Sequence, residues 1–173
     1  MTSFLIKAHE NRAPSSWNGY QDCAFCRIIN NELPSIRVFE NDLVVAILDI
    51  LPLRKGHTLV IPKAHFRRLS ELPAEYAAAV GMAVTKVAHA LTQALDNTAL
   101  NVVCNQEYAQ AVPHVHYHII PAPVFGKQAP APVAKDNTEP LTMKEMHQRE
   151  YEGRTELDEE EGQVLAEQIR SKL

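Results

Sequence analysis

Apolar residues recur at every second position in several short stretches of this chain and at helical spacing in one long stretch. SIRVFEN and LVVAILD are rich in β-branched residues and meet at Asn41-Asp42, which predicts a hairpin. HTLVIP, ended by Pro62, reads as a third strand, TALNVVC as a fourth, and VPHVHYHIIP, alternating throughout, as a fifth. Between the third and fourth strands, Tyr76, Val80, Ala83, Val87, Leu91 and Leu95 keep a helical period. Pro73 suits the first turn of that helix, and Asp96-Asn97 stops it. Ala24 to Asn31 is a short helix candidate, closed by Asn30-Asn31 and Pro34. Strands, helix and strands in this order predict an α+β fold, with a five-stranded antiparallel sheet, one long helix and one short.

The flanks break the pattern. Residues 1–21 mix Asn, Pro, Ser and Gly without a period and read as an irregular arm. The patterned body covers 22–122. Residues 123–154 read as a proline-rich linker, since five prolines fall within 121–140. Residues 155–173 read as an acidic helix, with Thr155 and Asp158 resembling a capping box and Leu165 and Ile169 as its apolar stripe.

Composition adds limits. The chain of 173 residues is 46% hydrophobic, enough for a core, and its net charge of −4 offers no basic field for nucleic acid. Lys135 to Leu173 holds 6 Lys/Arg against 11 Asp/Glu, leaving the body near neutral. No apolar run reaches membrane-spanning length, and MTSFLIKAHENR is unlike a secretory leader. Three cysteines argue against a disulfide framework.

The chemistry concentrates in HVHYHIIP. On a strand, His114, His116 and His118 share one face, and Val115, Tyr117 and Ile119 share the other. One such histidine is unremarkable in a core, but three at strand period point to function. Two functions fit: a metal site, since His-x-His suits zinc, or covalent chemistry at phosphorus by a neutral imidazole.

This stretch resembles the His-φ-His-φ-His-φ-φ pattern of the histidine triad family, φ being apolar. CAFCRIINNELPSIRVFEND, ILDILPLRKGHTLVIPKAHFRRLSEL and QAVPHVHYHIIP carry the likeness in order, over about residues 22 to 122, and most closely to the Hint-like branch. The resemblance implies a homodimer built on an antiparallel sheet. It implies hydrolysis of a nucleoside 5′-phosphoramidate, or a related nucleoside-monophosphate linkage such as an acyl-adenylate, through a nucleotidyl-histidine at His116. By the same resemblance His114 and His118 supply donors on either side, and His57 is a fourth histidine near them. Asp49 and Ile50 match the nucleoside-binding segment, with Leu48 and Ile28 as the slot for a purine base. By its residue type alone, Asp49 reads as a turn residue ending a strand. Gln110 matches a glutamine near the leaving group, and Asn105 the phosphate-side asparagine. The chain departs from the family at Ala111, where members carry Ser or Val, and in CNQEYAQ, which lacks the family's Asn-Gly.

Cys23-x-x-Cys26 alone reads as a redox pair, two core thiols or half a zinc site. Relatives of this kind hold structural zinc through such a pair and residues matching His65 and His114, so the resemblance implies a Cys2His2 site with zinc as cofactor and no organic cofactor. Cys104 reads as a buried apolar thiol. Ser171-Lys172-Leu173 matches a peroxisomal address, so peroxisome and cytosol are both expected destinations. A nucleotidyl transferase, a nucleotide- or partner-binding module and a catalytic three-histidine zinc enzyme are the competing functions.

Overall fold

The computed structural model describes residues 23–107, 109–123 and 142–173. The expected arm over 1–21 and the most proline-rich part of the expected linker lie outside the described residues.

The hairpin forms as its turn chemistry requires. β1 (Arg37–Glu40) and β2 (Val44–Leu48) pair antiparallel. Asn41 closes them, its Oδ1 accepting from the N–H groups of Leu43 (3.0 Å) and Val44 (2.7 Å), an Asx turn. β3 (Thr58–Pro62), β4 (Leu100–Cys104) and β5 (Tyr117–Pro121) complete one sheet of order β1-β2-β3-β5-β4, antiparallel at every neighbouring pair. Every residue of β2 and β3 is buried, because both faces of the central strands are covered. On one face Val44, Ala46 and Leu48 pack against α2 (Ala74–Leu95), whose buried Ala79, Ala83 and Ala90 let it lie close to the sheet. On the other, Val45, Ile47, Leu59 and Ile61 pack against Cys23 and Phe25, with Ile28 and Ile29 of α1 (Ala24–Ile29) alongside.

Gly56 turns the β2–β3 loop into β3 with φ +86°. A Cβ there would stand 2.7 Å from Leu95 Cδ1, so both the conformation and the space select glycine.

The C-terminal region departs from the expectation. The stretch 123–154, read as linker, contains α3 (Met143–Glu152), which opens on a capping box: Glu145 N–H donates to Thr142 Oγ1 (3.3 Å) and Thr142 N–H to Glu145 Oε2 (2.8 Å). Its residues are mostly polar and it follows a proline-rich stretch, so composition read as linker over a short helical pattern. The last helix, α4 (Glu159–Arg170), begins later than Thr155, because Asp158 is the cap and accepts from Glu161 N–H at 3.0 Å. Three glutamates follow in the first turn, where the helix dipole favours negative charge. The acidic tail is part of the body. Leu165, Ala166 and Ile169 are buried in the same core as α2 and β2, and a Cβ on Gly162 would overlap Ile36 Cδ1.

Truncating Ile169 to Ala is expected to cost about 2–5 kcal/mol of stability, as for other large core side chains, measured by urea unfolding. Gln168→Ala on the exposed face of α4 should stay within about 0.5 kcal/mol. Equal, small effects at both positions would mean the helix is not docked.

Candidate active site

The backbone that carries the three histidines is less regular than a single strand. Ladder pairing starts only at Tyr117. Pro113 has no N–H, and the N–H of Val115 donates to Phe66 O (2.7 Å), away from the sheet. Side-chain alternation nevertheless persists: Val115 is buried, and Tyr117 and Ile119 join the α2 face of the core. The three rings then diverge. His116 lies edge-on to Phe25 (5.0 Å between centroids) and to His118 (4.8 Å). His118 turns to His57, and His114 turns to the cysteines.

Their protons follow from their partners. His116 Nδ1 lies 2.6 Å from the carbonyl oxygen of His114, which can only accept, so Nδ1 holds the proton and Nε2 a bare lone pair. Burial holds the His116 pKa below the usual imidazole value, so the ring is neutral at neutral pH. His57 Nδ1 accepts the N–H of Leu53 (3.1 Å), so its proton sits on Nε2 and points at His118 Nδ1, 3.0 Å away. His118 in turn keeps its proton on Nε2, as a donor. Burial pulls both rings to about 3, with the positive charge of Arg154 adding to the effect at His57 and His116 adding to it at His118. Asp49 lies beside this chain: Oδ2 is 3.4 Å from His57 Nδ1, an acceptor in this tautomer, and Oδ1 accepts from Leu51 N–H (2.9 Å). Burial raises the Asp49 carboxyl, and its own bond from Leu51 opposes that. A bare nitrogen and an N–H donor on neighbouring rings can attack an electrophile and neutralise the negative charge that develops.

Several expectations need correction. The His114 ring offers no donor to this centre. Its Nε2–H donates to Pro62 O (2.8 Å), and its contribution to His116 is its backbone carbonyl. Gln110 is fully buried and acts as a brace: Nε2 donates to Arg67 O (3.0 Å) and His114 O (3.2 Å), and Oε1 accepts from Glu107 N–H (2.8 Å). Leu48 faces α2, so it cannot line a slot on the histidine face. Ile47 faces that side, beside Ile28. Counting back by two from Asp49 reaches Ile47, so strand alternation contained the signal. Ile50 is 68% exposed at the loop's rim. Asn105 follows β4, half-buried, and Ala111 is exposed. Cys104 is half-buried on the edge strand, and burial pushes its thiol to about 11. Phe25, between the two cysteines, was missed, and packs on both His114 and His116.

The second cluster joins Cys23, Cys26, His65 and His114, with one donor atom from each within 4.8 Å of the others. Cys26 Sγ is 3.2 Å from His65 Nδ1 and 3.7 Å from His114 Nδ1, and Cys23 Sγ is 3.5 Å from His114 Nδ1. Zinc bonds of about 2.0–2.3 Å in a tetrahedron separate the donors by roughly 3.3–3.8 Å, so the set fits a zinc ion. The Pro62 carbonyl fixes His114 with Nδ1 toward the thiols, as an outer partner of a metal-bound histidine does. Burial, and then Cys23, push the Cys26 thiol to about 12, so in this pocket a thiolate calls for a cation. The triad itself does not converge on one metal, because His114 and His116 turn to different partners.

The HIT domain family matches residues 30–123. The adenylylsulfatase HINT3 of Arabidopsis thaliana is 39% identical over 102 residues, covering 58% of this chain and 52% of that one, so the chain spans about half the length of this relative. The adenosine 5′-monophosphoramidase hnt1 of Schizosaccharomyces pombe is 42% identical over 103 residues, 58% of this chain and 74% of that one. Among solved structures, a zinc-bound histidine triad family protein from Mycobacterium smegmatis superposes with a TM-score of 0.66 at 27% identity, covering 89% of this chain and 94% of that one.

Three buried neutral histidines make stability depend on pH. His57 and His118 are held to about 3 and His114 to about 4, each chiefly by burial. Below their ordinary value of about 6.5, the unfolded chain binds protons that the folded chain refuses. Stability is therefore full above that value and is lost as pH falls toward the folded values. Urea midpoints should drop between about pH 7.5 and about pH 5, and the drop should shrink in His118→Gln. A flat profile would contradict the burial.

Proposed function

The chain belongs to the HIT domain family, and from that membership we propose that it is a nucleotide hydrolase cleaving a nucleoside 5′-phosphoramidate, or a related nucleoside-monophosphate linkage, through a covalent intermediate at His116. The carrying observation is the His116 Nδ1–His114 carbonyl bond of 2.6 Å, which leaves Nε2 as a neutral, oriented nucleophile. The names of the Schizosaccharomyces and Arabidopsis relatives support nucleotide substrates.

In this reading His116 Nε2 attacks the α-phosphorus and the bond to the leaving nitrogen breaks. The leaving nitrogen departs as an amine by taking a proton from solvent, while the His118 Nε2–H donates a hydrogen bond to it. Water then attacks phosphorus, its proton goes to solvent, and the bond to His116 breaks to release a nucleoside monophosphate. The His57 Nε2–H keeps His118 oriented through both halves. Asp49 accepts the ribose hydroxyls, and Ile28, Ile47 and Ile50 form the apolar side toward a purine. Arg68, paired with Glu107 and Glu71, braces the loop between β4 and β5 from outside. Zinc, when bound, supplies a closed four-donor cross-link. Cys23, Cys26, His65 and His114 would hold it, and the cross-link would steady the His114 backbone beside His116. A homodimer is part of the proposal.

Intact-protein mass after brief mixing with an adenosine phosphoramidate at low pH should show an added adenylyl group in the wild type and none in His116→Ala. Nucleotide binding without adduct or turnover would make the chain a binding module. Metal analysis should find about one zinc per chain, as in a structural site, and Cys26→Ser should lose it together with thermal stability. Full stability without metal would refute the cross-link.

A further inference from the structure

The loop from Asp49 to Gly56 does two things for the site. It carries Asp49, and it holds His57, through Leu53 N–H on Nδ1 (3.1 Å) and Arg54 O accepting from His57 N–H (2.9 Å). Yet Ile50, Leu51 and Lys55 are exposed, and little of the loop packs in the core. Such a loop opens easily unless something outside fastens it.

Two fastenings come from the C-terminal region. Leu157 N–H donates to Ile50 O (2.9 Å). Glu150, on α3, grips Arg54 with both carboxylate oxygens, Oε1 to Nε (2.5 Å) and Oε2 to a terminal nitrogen (2.6 Å). The other terminal nitrogen of Arg54 donates to Pro121 O (3.2 Å), at the end of the strand that carries His118. The guanidinium therefore joins α3, the loop and β5 in one fork, with geometry fixed by its plane. The two side chains are 21% and 28% exposed, so water screens the pair only in part. Arg154, from the same region, stacks on Tyr151 with its guanidinium carbon 3.8 Å from the ring centroid and donates to Tyr151 O (2.9 Å). α4 anchors all of this, because Leu165 and Ile169 sit in the core.

We propose that Glu150 is a positioning residue of the nucleotide site, acting through Arg54 to hold the Asp49–His57 loop against β5. This rests on the nucleotide-hydrolase reading above. With the clamp shut, Leu53 N–H holds the tautomer of His57, His57 holds His118 as a donor, and Asp49 faces the ribose. With the clamp broken the catalytic rings remain, but the loop that orients them relaxes.

The test uses the full chain, with AMP as ligand and an adenosine phosphoramidate as substrate. Glu150→Ala and Arg54→Ala should each weaken AMP binding about tenfold, the scale of a lost charge-assisted pair, with kcat lowered less than KM is raised. The double variant should be no worse than either single one. Glu150→Gln, which keeps one acceptor, should fall between wild type and Glu150→Ala. Amide exchange at Leu53 and His57 should quicken while Ile61 and Ile119 stay protected and the melting temperature changes little. AMP affinity unchanged in Glu150→Ala, additive losses in the double variant, or exchange rising throughout β3 and β5 would overturn the positioning role. A wild type that neither binds AMP nor forms the adduct would bring down the nucleotide reading and this proposal with it. A wild type that does both, beside an indistinguishable Glu150→Ala, would sink the clamp alone.

Discussion

The hydrogen bond from His116 Nδ1 to the carbonyl oxygen of His114 organises this molecule. An imidazole can present either nitrogen, and only a fixed acceptor on one side makes the other dependably bare. The carbonyl that does this is itself held twice, by Gln110 and by the irregular backbone that sends Val115 N–H to Phe66. A regular ladder through His114 would have committed that carbonyl to a neighbouring strand.

His114 therefore belongs to two systems at once. Its carbonyl faces the nucleophile, and its ring faces the thiols of Cys23 and Cys26. The cysteine cluster therefore meets His116 through the His114 backbone. Phe25 adds a second link, because it lies between the cysteines in sequence and packs edge-on to both rings. The arrangement favours rigidity, since a nucleophile misplaced by even an ångström loses much of its advantage.

Much of this was legible in the residues. Period-two alternation located the strands and the shared side of the histidines, and Asn41 announced its turn. Cys23 stands 91 residues from His114 in sequence, yet the family pattern brought the Cys-x-x-Cys pair, His65 and His114 to one place, and the cluster forms. What was not legible depended on tertiary neighbours. Gln110 looks like a polar group for a ligand, but only the fold reveals that backbone carbonyls and an N–H saturate it. Leu48 and Ile47 differ by one position, and the face each takes is set by where α2 lands. α3 escaped notice because its polar composition and the prolines before it outweighed a short amphipathic pattern, with Thr142 and Glu145 as its capping mark. The docking of α4 was equally hidden: Leu165 and Ile169 were visible as a stripe, but their partners were not.

Gly162 resting on Ile36 has a consequence for how the chain can be divided. The span that matches the family, 30–123, is not a self-contained unit here, because its core borrows Leu165, Ala166 and Ile169 from beyond it. A protein cut after Pro123 would bare an apolar seam between β1 and α2, next to an edge strand with unpaired backbone groups. Such a surface recruits other chains. The tail, for all its acidity, is what keeps that seam from becoming an aggregation site.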